Sequence, residues 1–480
     1  MLRCNELSEY GSYFAKSTPL AFAAVSPFAR EKAESCQLGS LGCVTRIVDG
    51  EAWRSLRFRS HECAAQLESV EWWVTRPPVV PLKLSVTLKN DQDSLDTVVL
   101  LEEFSVLLER CGVHFVFCLE IDGINTLEPF GTLLSRAEEV VLNGCRNWTS
   151  FRGLDGLRYL KRASFHNCGM TDISTICSCT LLESVTYASC PGLTSLDGLQ
   201  GLQRLKSVTV LDCPVASLAA LRTCLPVESI CLGGTPILTS LSVLEGLQNL
   251  KNLSVSNCPV TSLYALRTCP SLESVVCRRT EVISLQPLHG LKRLKEVMFS
   301  GRNVGDIDAL HTCIALEVVE ISGAVDLISL DGLRSLPRLR RLTIDRCSIK
   351  NLDALHTCET LEELYVNSCS NLISIENFKG TPNLKNFTIA GCPITSIRSL
   401  NTCVSLRRVN VSSCPLLRSL DGLEGLPNVE VVLACKSGIT DVSVIAKCPA
   451  LRYVDVRGCP QLQSVDVLLE RGDVMVFFLE

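Results

Sequence analysis

Apolar residues along most of this chain recur in one short phrase, L-x-x-V-x-V-x-x-C. Leu205, Val208, Val210 and Cys213 spell one copy, and Leu361, Leu364, Val366 and Cys369 another. Residues two apart on an extended chain share a face, so each phrase predicts a short strand with one buried side. The last position of the phrase forms a column: Cys145, Cys168, Cys190, Cys213, Thr235, Cys258, Thr280, Arg302, Ala324, Cys347, Cys369, Cys392, Cys414, Ser437 and Cys459. Its steps alternate 23 and 22, with one 22 where 23 is due, between Thr280 and Arg302. A second column, Cys179, Cys224, Cys269, Cys313, Cys358, Cys403 and Cys448, steps by 45 except for a 44 at the same place. Two independent columns therefore agree on one register. No single turn of this length can bury its apolar side, so neighbouring turns must stack.

Each period of 45 residues holds two half-repeats that differ after the strand. One reads C-P-x-T-S-L-x-A-L-x-T-C, as from Cys213 to Cys224; the other reads L-x-S-L-D-G-L-x-G-L, as from Leu193 to Leu202. So few residues leave room only for short 3₁₀ or extended segments between strands. The phrase resembles the leucine-rich repeat, L-x-x-L-x-L-x-x-N/C-x-L. That resemblance implies an α/β solenoid, a horseshoe with a parallel concave sheet and short 3₁₀ or extended segments on its convex side. Cysteine stands where the family usually has Asn, as a small hydrophobe with a weak S–H donor.

Residues 107–120 and 468–480 read LLERCGVHFVFCLE and LLERGDVMVFFLE, and predict the first and last strands of the array. Phe117 and Leu119 are expected inward in the first, Phe477 and Leu479 in the last. Counting both gives about 17 rungs. Ahead of them, Leu95, Val98, Val99, Phe104, Leu107 and Leu108 follow helical spacing from an N-cap at Asp93 or Ser94, and Gly112 ends the run. The expected organisation is a loosely ordered segment over 1–50 and a helical or degenerate-repeat cap over 51–111. The solenoid follows over 112–480. Trp72 and Trp73 are read as the small core of the cap rather than as a partner contact.

The net charge of −5 and pI near 5.8 argue against a general nucleic-acid binder. No stretch approaches the roughly 20 apolar residues of a membrane span. Of 27 cysteines, 17 occupy the two repeat columns, which makes them packing thiols and points to a reducing, cytoplasmic setting. Nuclear, flagellar and mitochondrial placement stay open. Cys177-Ser178-Cys179 and six scattered His give no metal-ligand spacing. No phosphate loop, H-E-x-x-H or nucleophile elbow occurs, so neither an enzyme nor a cofactor or metal is expected.

The residue after the first Leu of each phrase alternates in sign: Glu138, Lys161, Glu183, Lys206, Glu228, Lys251, Glu273, Lys295, Glu317, Arg340, Glu362, Lys385. Such a ladder neutralises itself. It breaks at Arg407, and Glu430 and Arg452 continue in inverted phase. Exposed strand positions near the break are Arg341, Arg346, Tyr365, Asn367, Arg408, Asn410, Tyr453, Asp455 and Arg457, rich in the Arg and Tyr of interface hot spots. Earlier ones, such as Ser164, Thr186, Thr209 and Ser254, are small. The C-terminal third of the concave face is thus the candidate partner-binding surface, against the alternative of a merely solvated basic patch. Arg278-Arg279 marks a smaller basic spot beside the missing residue, the place for a local bend.

The Cys-Pro and Leu-Asp-Gly-Leu phrasing is most similar to leucine-rich-repeat proteins of trypanosomatids, adenylate-cyclase regulators among them. Those carry a RING-type zinc module whose Cys/His spacing this chain lacks. The resemblance implies a protein-interaction scaffold that binds a protein partner. Alternatives are a regulatory subunit of a phosphatase or cyclase, and a mitochondrial or RNA-associated assembly factor. The chain is expected to be a monomer with a C-terminal edge open to capping by a partner.

Overall fold

The structure, a computed structural model, describes residues 44–48, 51–59, 63, 66–67, 71, 80–149, 157–378 and 381–478. Trp72, Trp73, Leu479 and the segment 1–43 lie outside them. Two compact units divide the chain, Met1–Leu205 and Lys206–Glu480.

In the first unit, β1 (Val44–Val48) pairs antiparallel with β2 (Glu51–Arg59). From β2 onward the pairing is parallel, through β3 (Leu82–Lys89), β4 (Phe115–Asp122), β5 (Ala137–Asn143), β6 (Arg162–His166) and β7 (Ser184–Ala188). Phe117 and Leu119 of β4 point inward and are buried, as their spacing predicts. Helix α1 (Gln92–Arg110) joins β3 to β4. Its N-cap is Asp91, earlier than expected, whose carboxylate accepts from the Ser94 amide at 2.8 Å. That cap sets the phase of the helix: Val98, Leu101, Phe104 and Leu108 are buried, while Leu95 and Val99 face outward.

The described residues of the second unit hold 13 parallel strands. They are β8 (Ser207–Leu211), β9 (Ser229–Gly233), β10 (Asn252–Ser256), β11 (Ser274–Arg278), β12 (Glu296–Ser300), β13 (Val318–Ser322) and β14 (Arg341–Asp345). Beyond these come β15 (Glu363–Asn367), β16 (Asn386–Ala390), β17 (Arg408–Asn410), β18 (Val431–Leu433), β19 (Tyr453–Asp455) and β20 (Met475–Phe477). The 17 strands from β4 onward match the expected rungs, and β2 and β3 add two parallel strands ahead of them. Between strands the chain forms 3₁₀ turns of three or five residues, such as Asp331–Leu333 and Asp353–Thr357. Among the described residues there, only α3 (Ser443–Ala446) and α4 (Asp466–Leu469) are α-helical; the N-terminal α2 (Gly131–Leu134) is equally short.

Period-2 burial runs through nearly every rung. In β15, Leu364 and Val366 are fully buried with the flanking Leu361 and Cys369, and each large apolar side chain so buried contributes about 1.5–3 kcal/mol. After most strands one residue turns left-handed, as Asn257 (φ 55°), Arg346 (φ 50°) and Gly391 (φ 65°) do. Its amide then reaches the next rung: Arg346 N–H donates to the Asn367 carbonyl at 2.9 Å. The missing residue after Thr280 leaves the strands untouched, since β11, β12 and β13 pair residue for residue.

One inward assignment needs correction. In β20 the register places Val476 beside the buried Val454, so Phe477 points to the opposite face, 37 % exposed. Strand side chains alternate, and a slip of one residue exchanges the two faces.

Candidate functional site

Strands β14 to β19 carry seven of the nine candidate residues on their outward face. Leu342 and Ile344, Leu364 and Val366, Phe387 and Ile389 fill the inward positions. Register aligns Arg341, Glu363, Asn386, Arg408, Val431 and Tyr453 in one row across the sheet. Thr343, Tyr365, Thr388, Asn410, Leu433 and Asp455 form the next row. Asn367 stands opposite Asp345, and Arg346 and Arg457 follow the ends of their strands.

Most of these charges are already compensated. Arg341 Nε donates to Glu363 at 2.7 Å, and the Tyr365 hydroxyl donates to the same carboxylate at 3.3 Å. Arg346 pairs with Asp345 at 2.8 Å. Arg457 grips Asp455 with Nε at 2.9 Å and Nη2 at 2.6 Å, while its backbone amide donates to the same carboxylate at 3.2 Å. Asp455, expected to be exposed, is only 5 % exposed. The Arg457 hydrogen bond outweighs that burial and holds its carboxyl down at about 2. All four arginines are exposed, but Arg408 alone of the four forms no ion pair among the described residues.

Most of the alternating ladder is paired where it is regular, although Glu317 forms no ion pair among the described residues. Lys161 meets Glu138 at 3.5 Å in the first unit. In the second unit Lys251 meets Glu228 and Lys295 meets Glu273, each at 2.7 Å. Glu362 lies between Lys385 at 2.6 Å and Arg340 at 3.4 Å, and the Lys385 hydrogen bond lowers its carboxyl below the ordinary value. From Arg407 on, Arg407, Glu430 and Arg452 form no ion pair among the described residues. The pairing ends at the rung where the sequence pattern breaks. Arg278, on the smaller basic spot, is itself spanned to Glu320 at 3.4 Å across the Met298 sulfur.

Beyond β18 the face becomes aromatic. The Tyr453 and Phe477 rings lie 5.2 Å apart, and the Arg457 guanidinium sits 5.5 Å over the Phe477 ring. Register also puts exposed Met475 beside Tyr453. Met475 and Phe477 were missed because the phase assigned to β20 turned them toward the core.

A second outward cleft, of about 550 Å³, lies in the first unit. Trp53 and Arg57 of β2, Lys83 and Thr87 of β3, Glu120 of β4 and Glu139 of β5 line it. Its charges are paired within it, Lys83 to Glu139 at 3.5 Å and Arg57 to Glu120 at 3.8 Å. The expected degenerate-repeat or helical cap over 51–111 named no binding residue here, and Leu82, Leu84 and Val86 alternate as strand residues do.

Among the described residues no group of three or more His, Cys, Asp or Glu is placed to hold a metal ion. No helix there is long and apolar enough to cross a membrane.

Residues 132–232 and 292–418 match, in 6 copies, the family model described as the BspA type leucine rich repeat region. No curated protein matches the chain. Among solved structures, an internalin (InlF) of Listeria monocytogenes superposes with a TM-score of 0.54 at 19% identity, over 68% of this chain and 88% of that one. A leucine-rich-repeat protein of Leptospira interrogans superposes with a TM-score of 0.54 at 13% identity, over 74% of this chain and 93% of that one. At such identities the likeness speaks for the fold alone.

Proposed function

The chain is a leucine-rich-repeat protein, and we propose that it works without catalysis, by binding a protein partner on the outward sheet face of β14 to β20. A solenoid presents a broad, rigid surface whose side chains are set by strand register, and it gains specificity from what those side chains are. One observation carries the choice of region. The ladder's ion pairs end at Lys385, and Arg408 stands without an ion pair among the described residues in the row that runs from Arg341 to Tyr453. An uncompensated guanidinium on a face that also carries Tyr365, Tyr453 and Phe477 has the composition of an interface hot spot. A partner that brings a carboxylate to Arg408 and an apolar side chain to Phe477 fits this face.

The test is quantitative affinity capture from cells of the source organism, comparing wild type with Arg408→Glu and with Tyr453→Ala. The reading expects the same protein to be depleted from both captures while the variants melt as wild type does. Capture of an unchanged set by both variants defeats it.

A further inference from the structure

We propose that the cleft between the 3₁₀ turns Tyr264–Thr268 and Gln286–Leu288 is a second docking site, one that takes an acidic, apolar peptide segment of a partner protein. None of its lining residues belongs to a strand, so it is distinct from the sheet face.

The repeat supplies its own control. One period earlier the equivalent cleft is lined by Ala219, Arg222, Ser242 and Val243 and holds about 270 Å³. Here Tyr264 replaces Ala219, Gln286 replaces Ser242 and Pro287 replaces Val243, and the cleft holds about 700 Å³. The enlargement coincides with the residue missing after Thr280. The shortened turn brings the Ile283 amide to within 3.4 Å of the Thr261 carbonyl and stands Ile283 on the rim.

What lines the cleft indicates what it takes. Tyr264 and Ile283 are 59 % and 64 % exposed, a large apolar area for a surface with no cover among the described residues. The Arg267 guanidinium lies 4.7 Å over the Tyr264 ring, which holds the cation at the mouth. His289 stands at the other end, its ring 5.9 Å from that of His311. No carboxylate lines the site. Apolar walls beside the Arg267 guanidinium suit an aliphatic or aromatic side chain next to Asp or Glu. Arg222 keeps the same charge one period earlier without the apolar walls, so charge alone is not the recognition element.

The experiment selects a random peptide library against the intact protein, followed by fluorescence anisotropy of the enriched peptides. Enrichment of sequences with Asp or Glu beside an apolar residue is expected. Tyr264→Ala and Arg267→Glu should each weaken those peptides by about tenfold or more, and Arg222→Glu by less than about twofold. All three positions are exposed or half-exposed, and thermal melting checks that the variants fold. Arg408→Glu should leave peptide binding unchanged, which separates this site from the sheet-face reading. Absence of acidic–apolar enrichment, or peptides indifferent to both Tyr264→Ala and Arg267→Glu, overturns the proposal.

Discussion

The thiol of Cys358 donates to the backbone carbonyl of Leu333, 25 residues earlier, at 3.1 Å. Leu333 closes the 3₁₀ turn Asp331–Leu333, whose last carbonyl has no partner within the turn. The relation repeats from Cys269 to Leu244 at 3.3 Å, from Cys313 to Leu288 at 3.2 Å and from Cys448 to Leu423 at 3.0 Å. Each of those leucines ends a 3₁₀ turn. Four of the evenly spaced cysteines therefore cap the turn of the preceding half-repeat while filling the core. Cys358→Ala removes both the donor and its sulfur from a fully buried site, and should cost about 1–2 kcal/mol, read by chemical denaturation. Wild-type stability would contradict the capping role.

Burial of the thiols is expected to set the alkaline limit of the fold. Desolvation raises Cys313, Cys347 and Cys414 from 9.0 to about 11, and Cys277 and Cys403 to about 12. Their contribution is fully present below the unfolded value. As pH rises past it the unfolded chain loses protons that the folded chain keeps, so stability falls from about pH 9 upward. The melting temperature should drop across that window, and less steeply in Cys403→Ala. Parallel slopes would show that other groups govern the alkaline limit.

At the acid end the sign reverses. Asp455 is held at about 2 by Arg457, so its contribution is present above the ordinary carboxylate value and is lost as pH falls toward 2. Arg457→Ala should move the acid unfolding limb to higher pH. An unmoved limb would mean that the clamp contributes nothing measurable. Because this arginine supports the strand end, Arg408 is the cleaner probe of the binding face.

The two glycines of L-D-G-L-x-G-L have different causes. A Cβ on Gly422 would stand 1.8 Å from the Ile397 carbonyl oxygen, and one on Gly332 would stand 2.0 Å from that of Ile307. Gly425 has open space around its Cβ position but a φ of +67°. Gly422→Ala should cost about 3 kcal/mol through a backbone clash, and Gly425→Ala about 1–2 kcal/mol through left-handed strain alone. Equal costs would contradict this division.

The internal repeats also hold a pairing that a single copy does not show. Gly198, Gly332 and Gly422 follow half-repeats whose turns open on Ile173, Ile307 and Ile397. Where the earlier turn opens on Leu218, Leu263 or Leu352, Val243, Pro287 or Asn377 stands in place of the glycine.

The rungs were legible because a strand with one buried side must write period 2, and stacked strands must repeat it at a fixed spacing. The ion pairs of the ladder were legible for the same reason, since register fixes which charges are neighbours. Asp455 was misplaced because its burial depends on Arg457 folding back over it, a local contact that no periodicity encodes. Phe477 was misplaced because the short run Met475–Leu479 is apolar at every position, which removes the alternation that sets phase. The Tyr264 cleft needed the two aligned turns side by side before its size could be compared with that of its predecessor.

Site-specific photo-crosslinking tests the binding face most directly. With p-benzoylphenylalanine at Tyr365, at Tyr453 and, as a control, at Ser254 on the outward face of β10, irradiation in cells should yield one common adduct from the first two positions. Ser254 should give none. Adducts at Ser254 alone, or none at either tyrosine, would contradict the assignment of the partner to this face.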